Sequence, residues 1–270
     1  MKKISILGCG WLGFPLAESL LKEGFSVNGS TTSIDKLSVI EKSRIQAYLI
    51  SLSDHGTEGD IFSFLENSEI LIIDIPPKLR GIEKENFVAK IEILIPFIEE
   101  SSVKKVLFIS STSVYPDDDD NTNSIITEDT KPQPDYESGR QLLAAELLLQ
   151  NNKKFKTTVL RFGGLIGNDR HPIFYLAGRK GISNPTAPIN LIHKKDCISI
   201  ILKIIEKDCW DEVFNAVAPY HPKREDYYTQ KAVELNLAFP EFNFSTSGGK
   251  VIDSGKLEKM VGYEFQEKRL

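Results

Sequence analysis

The sequence predicts an α/β fold built on a parallel, doubly wound sheet, and three observations carry that prediction. Short β-branched runs alternate with longer stretches of helical periodicity along most of the chain, the pattern imposed by right-handed strand–helix–strand crossovers. One run, ILIIDIPP at 70–77, is almost continuously apolar, as a strand covered by helices on both faces must be. The 270 residues are also enough for one large domain with its own core.

Taken in order, KKISILG (2–8) reads as the first buried strand. Leu16, Leu20 and Leu21 then share one face of a helix that runs as far as Gly24, a residue suited to ending it. FSVNGS (25–30), QAYLIS (46–51) and ILIIDIPP (70–77) are strands two to four. NFVAKIEILIPFIEES is helical, KKVLFISSTSVY (104–115) is the fifth strand, and ESGRQLLAAELLLQ (137–150) is helical again. TTVLRFGGLIG (157–167) is a sixth strand, CISIILKIIEK (197–207) a helix, and EVFNAVAP (212–219) the last strand. Segments rich in Pro, Gly and Asn at 167–190, together with the tail after Pro219, break the alternation. They predict a small cap, discontinuous in sequence. Residues 1–166 with 191–218 then form the sheet domain, and 167–190 with 219–270 the cap.

Composition excludes several roles. A net charge of −5 with no basic face leaves nothing to replace phosphate counterions, so no nucleic-acid partner is expected. Cys9, Cys197 and Cys209 are odd in number and unpatterned, which fits a reducing compartment better than a disulfide framework. With the four histidines they show no metal-ligand spacing, and no metal is expected. No apolar run approaches the roughly 18–20 residues of a membrane span, and ISILGCGWLG lacks a signal-peptide cleavage site. The expectation is a soluble, cytoplasmic protein with no membrane partner. The acidic run DDDD (117–120) reads as a solvated loop.

Gly8-Cys9-Gly10-Trp11-Leu12-Gly13 is a G-x-G-x-x-G placed directly after a strand and opening a helix, the context in which the motif has physical meaning. Gly8 permits the tight turn, Gly10 lets a diphosphate approach the backbone, and Gly13 lets helix and strand pack closely. Amides at Trp11 and Leu12 and the positive end of the helix complete a dinucleotide seat. The end of the second strand decides between NAD and NADP. It carries Thr31, Thr32 and Ser33 with Lys36 nearby, and no carboxylate for a ribose 2′-hydroxyl. Hydroxyls and one cation lean towards NADP, although no arginine is present. The same residues also read as a turn that starts the next helix. Ile75 and Pro76 close the fourth strand at the carboxyl edge, beside the cofactor or simply as a strand stop.

Further stretches carry a resemblance. GWLGFPLA, SSTSVY, SGR, RFGGLIG, NDRHPIFYLAG, NLIHKKD, FNAVAPYHP and GGKVID run from end to end of the chain. Together they resemble the extended or atypical short-chain dehydrogenase/reductase superfamily, which includes NAD(P)-dependent sugar-nucleotide epimerases and dehydratases, and within it the YeeZ-like branch. The resemblance implies a Rossmann sheet in the order 3-2-1-4-5-6-7 and an NAD(P) cofactor. It also implies a small polar substrate and pairing into homodimers through helices flanking the sheet. Carried over by position, Tyr136 is the general acid/base and Ser111 the substrate-oxygen anchor, with Thr112 its substitute. Arg140 stands where the superfamily has a lysine. Arginine keeps the charge that favours a phenolate but cannot release a proton. In the branch the arginine recurs while the tyrosine position varies, so Tyr136 reads either as an acid/base or as a helix-start residue packed on the sheet. The implied activity is that of an oxidoreductase or epimerase; the alternative is a protein that holds NAD(P) as a sensor without turnover.

Arg170 and His171, in the loop after the sixth strand, are candidates to clamp a substrate anion and to donate a proton, or else to brace the loop. Asn190 is the remaining candidate for substrate contact. His193, Asp196, His221 and Lys250 read as structural, although the GGK turn could meet an anion through its amides.

Overall fold

The computed structural model describes residues 2–77, 85–117, 124–243, 248–268 and 270. Seven strands build the main sheet: β1 (Lys3–Leu7), β2 (Ser26–Thr31), β3 (Gln46–Leu49), β4 (Ile70–Ile73), β5 (Lys105–Ser111), β6 (Lys156–Phe162) and β7 (Val213–Ala216). Their spatial order is β7-β6-β5-β4-β1-β2-β3, and every pairing is parallel. The expected doubly wound order is therefore present. It reverses between β1 and β4, where an open α/β sheet parts its crossovers and leaves a crevice beyond the strand ends.

Burial explains the sequence pattern of the central strands. Ile70 to Ile73 are all buried because helices cover both faces. One face carries α1 (Gly13–Lys22), α2 (Ile34–Lys42), α7 (Lys194–Glu206) and α9 (Gly255–Val261), meeting in a core around Leu16, Leu20, Ile201 and Leu257. The other carries α3 (Ile61–Leu65), α4 (Phe87–Glu100) and α5 (Glu137–Gln150), around Phe64, Phe87, Leu94 and Leu142. Each such fully buried Leu or Phe stabilises the fold by about 1.5–3 kcal/mol relative to exposure.

Three strands stop earlier than their apolar runs suggest. β4 ends at Ile73; Asp74 N still donates to Leu7 O at 2.9 Å, and the prolines at 76 and 77 cannot extend the ladder further. β5 ends at Ser111, whose hydroxyl accepts from Ser113 N at 3.2 Å and starts a 3₁₀ turn over Thr112–Val114. β6 ends at Phe162. Gly164–Ile166 then pairs separately with Leu191–His193, and a Cβ on Gly163 would sit 2.7 Å from Asn190 O.

The tail divides. α6 (Ile173–Leu176) and α8 (Arg224–Glu234) share a small core of Ile166, Ile173, Ile189, Leu191, Tyr227, Tyr228 and Ala232. Val251–Ile252 then pairs with Ile125–Ile126, and Leu257, Val261, Tyr263 and Phe265 join the main core instead. Tyr263 Oη donates to buried Asp196 at 2.5 Å, tying the last segment to α7. Of the acidic run, residues 118–120 lie outside the described residues, and Asp117 pairs with Lys250 at 2.9 Å. Among the described residues no helix is long and apolar enough to cross a membrane.

Candidate functional site

The glycine turn lies at the crevice. Gly8 has φ +108°, and a Cβ there would fall 2.3 Å from the main-chain oxygen of Asp74. A Cβ on Gly13 would fall 2.2 Å from Gly8 O. Both positions exclude a side chain by contact with backbone, which cannot yield. Gly10 is different: its Cβ would meet nothing within 4 Å, so its bare face borders open space. Gly8 N donates to Ser30 Oγ at 2.9 Å and Cys9 N to Ser30 O at 2.7 Å, fixing the turn to the end of β2. The N-cap Leu12 leaves α1 without a side-chain cap. This cradle fits the diphosphate of a dinucleotide, with Gly10 approached directly and helix amides beside it.

Asp74 is the residue that sequence reasoning passed over. It follows β4 as Gly8 follows β1, and its main-chain N donates to Leu7 O at 2.9 Å. Its carboxyl accepts from Gly13 N at the start of α1, and burial pushes it up to about 7 against the opposing pull of that bond and of Arg170. Cys9, on the same turn, is pushed up to about 12 by burial and then by Asp74. It is an inert thiol at neutral pH.

Trp11 closes the side of the turn. Its indole N–H donates to both Asp169 carboxylate oxygens at 3.0 Å. The Arg170 guanidinium and the Lys194 ammonium lie 5.0 and 4.4 Å from its ring centre, and Lys194 also pairs with Asp169 at 3.2 Å. A Cβ on Gly167 would lie 2.9 Å from the indole, so the loop after β6 can approach only as glycine. Two cations are thereby brought beside the glycine turn. Ile75 also borders it, with Cγ2 3.1 Å from the Gly8 Cβ position, while Pro76 is exposed.

At the end of β2, Thr31 is buried and its Oγ1 accepts from Ser33 N at 3.1 Å, while Thr32 is exposed and Ser33 is the N-cap of α2. The turn therefore both starts the helix and presents a hydroxyl.

The implied catalytic positions lie on β5 and α5. Gly139 draws α5 onto the 3₁₀ turn, since a Cβ there would be 2.3 Å from Ser113 O. Ser111 and Thr112 lie at that turn, Thr112 buried. Tyr136 is the N-cap of α5 and 66% exposed. Arg140 donates to Glu137 Oε2 at 3.0 Å and to Asp135 O at 2.9 Å. Its charge is engaged within its own helix start.

Two substrate candidates have structural bonds. His171 is buried beside α8; its Nδ1 accepts from Ile173 N at 3.1 Å, so the neutral ring donates from Nε2 to Tyr227 Oη at 2.9 Å. Burial lowers it to about 4, away from the range of a proton donor at neutral pH. Asn190 donates to Lys250 O at 2.7 Å and accepts from Ile252 N at 2.9 Å, bracing the tail. Among the described residues no cluster of His, Cys, Asp or Glu could hold a metal.

No family model matches the chain. It is 33% identical to protein YeeZ of Escherichia coli (strain K12) over 274 residues, covering 98% of this chain and 96% of that protein. The chain belongs to the YeeZ family. Solved structures share the fold. A functionally unknown conserved protein from Silicibacter pomeroyi DSS superposes with a TM-score of 0.81 at 20% identity, covering 100% of this chain and 95% of that one. UDP-glucuronic acid 4-epimerase from Bacillus cereus, in complex with NAD, gives 0.77 at 19% identity, covering 98% and 93%.

Behind the crevice this YeeZ-like protein holds a buried polar network that sequence reasoning also missed. Arg161 on β6 grips Glu146 on α5 through Nε at 3.1 Å and Nη2 at 2.5 Å, and Ser110 Oγ donates to the same carboxylate at 2.5 Å. Arg161 Nη1 donates to Tyr115 Oη at 2.6 Å, and Tyr115 donates to Asn215 at 3.0 Å. An arginine set between Leu160 and Phe162 in a strand buried from Thr157 onward was the available signal, because a buried charge requires a partner.

Proposed function

We propose that this YeeZ-like protein binds NAD(P) at the Gly8–Gly13 turn and serves as an epimerase- or oxidoreductase-like enzyme for a polar, sugar-like or phosphorylated small molecule. The observation that carries the reading is the bare face of Gly10 between two glycines locked against backbone. Structural neighbours in complex with UDP-glucuronic acid and NAD, or with UDP-glucose, support the substrate class.

When bound, the dinucleotide supplies a hydride acceptor or donor at nicotinamide C4. In this proposal Trp11 and Leu12 amides meet the diphosphate, with Ile75 and Pro76 alongside. Thr31, Thr32, Ser33 and Lys36 meet the adenosine ribose, a set that accepts a 2′-phosphate and so leans to NADP. Ser111, with Thr112 behind it, anchors a substrate oxygen by hydrogen bond. Tyr136 Oη takes the proton from a substrate hydroxyl as its carbon is oxidised, and returns it on reduction. A phenol ordinarily releases its proton only well above neutral pH, so in this proposal Arg140 leaves Glu137 and approaches the phenol to favour the phenolate. Arg170 holds substrate or cofactor anion, while Asn190 orients the tail segment that borders the substrate. Cytoplasmic location and homodimer formation belong to the same proposal.

The present pairing of Arg140 with Glu137 and the Asp135 carbonyl favours one other reading, a sensor that binds NAD(P) without turnover. Absorbance of NAD(P)H followed across carbonyl compounds and nucleotide sugars separates the two. The enzyme reading expects turnover that Tyr136→Phe lowers by about 10²–10⁴-fold. Coenzyme that raises the melting temperature yet supports no turnover with any substrate would establish the sensor.

A further inference from the structure

The start of α1 already holds an anionic group of its own. Asp74 accepts the Gly13 N–H, and its Oδ2 lies 3.1 Å from the position of a Gly13 Cβ. A carboxylate there uses the helix-end amide and dipole on which a bound diphosphate also relies. Two anions at one helix start, between low-dielectric walls, repel each other strongly, and the carboxyl is the one that can be neutralised.

We infer that Asp74 carries a proton whenever a dinucleotide occupies the Gly8–Gly13 turn, so that coenzyme binding takes up one proton. This rests on the dinucleotide reading above.

The groups facing Asp74 support it. From the turn itself comes the Cys9 thiol, pushed up to about 12 and therefore neutral. From α7 comes Cys197, fully buried, its thiol held well above its ordinary value. From the loop after β6 comes the positive charge of Arg170, which holds the carboxyl down against its burial. Arg170 is exposed beside the Trp11 ring, so an arriving diphosphate competes for it and takes away that support. The carboxyl, already near pKa 7 without ligand, then moves further up, and proton uptake follows by linkage. Histidines 171, 193 and 221 are all held below their ordinary value by burial.

The test uses the full chain and NAD, which lacks the titrating 2′-phosphate of NADP. Titration calorimetry at pH 6 and pH 8 gives the affinity. Repeating the pH 8 titration in two buffers of different ionisation enthalpy counts protons. Expected for the wild type are a Kd about tenfold weaker at pH 8 than at pH 6 and uptake of close to one proton at pH 8. Asp74→Asn, whose amide can accept from Gly13 and donate outward as a protonated acid does, should bind with a Kd unchanged within about twofold between the two pH values. At pH 8 it should bind about tenfold tighter than the wild type. NAD binding by the wild type with flat affinity and no proton exchange overturns the inference and leaves the coenzyme reading standing. Absence of binding by both NAD and NADP at both pH values overturns both. Should the variant fail to fold, the two-buffer measurement on the wild type decides alone.

Discussion

Arg161 and Glu146 form a two-pronged ion pair across the β6–α5 interface, with Nη2 and Oε2 2.5 Å apart and Glu146 fully buried. Burial pushes the other way, but the Glu146 bonds raise the affinity of Arg161 for its proton. Such a pair adds little over apolar residues of equal volume, yet breaking it strands a charge. Glu146→Ala should therefore destabilise the protein by about 3–5 kcal/mol, read from the midpoint of urea unfolding. The double variant Arg161→Met, Glu146→Leu should recover most of that loss. Equal damage by single and double variants would refute the ion-pair account.

The three glycines should separate fold from binding. Gly13→Ala places a methyl 2.2 Å from backbone, and overpacking of this kind costs about 1–3 kcal/mol, so the melting temperature should fall. Gly10→Ala meets open space and should leave the apo melting temperature within about 1 °C. It should nonetheless weaken coenzyme affinity by roughly tenfold or more, because a methyl then stands where the diphosphate approaches. An unchanged affinity in Gly10→Ala would remove that glycine from the seat.

Asp74 should also appear in the stability of the ligand-free protein. Its folded value of about 7 lies above the ordinary 3.8, so the folded state binds the proton more tightly. The stability this contributes is complete below pH 4 and is lost as pH rises to 7. Replacement by Asn removes the dependence. Asp74→Asn minus wild type should thus grow with pH between 4 and 7, reaching a few kcal/mol at pH 8 by order of magnitude. A difference that does not vary with pH would show that Asp74 is not titrating there.

His171 acts with the opposite slope in the same window. Its folded value of about 4 lies below the ordinary 6.5, so stability is full above pH 6.5 and falls as pH drops towards 4. The loss is at most about 3 kcal/mol. His171→Gln should be less stable than wild type at pH 7, and the gap should narrow at pH 4.5. Urea unfolding at the two pH values measures both.

Trp11 offers a direct optical report, since the chain has two tryptophans and Trp210 lies far along the sequence, bonded to Asp208 at 2.8 Å. NADH should quench fluorescence in Trp210→Phe as in the wild type, and not in Trp11→Phe. Quenching that survives Trp11→Phe would place the coenzyme elsewhere.

Much of the frame was legible in the sequence for physical reasons that act locally. An all-apolar run such as Ile70–Ile73 has no stable place except between two helical layers, and Gly8, Gly10 and Gly13 announce a turn that only missing side chains permit. The cap was less legible. Leu257 and Val261 repeat with the same helical spacing as Tyr228 and Ala232, and nothing in that spacing says which core each pair joins.

The sequence by itself determined the parallel doubly wound sheet and the glycine turn after β1, because these follow from periodicity and from residues close together along the chain. Only the tertiary structure decided that Asp74 sits under the helix that opens at Gly13, that Arg140 bonds to Glu137, that His171 faces Tyr227, and that Arg161 meets Glu146. Those pairings depend on how side chains are buried and which partners lie within about 3 Å after folding, and a charge or proton takes its meaning from that surrounding.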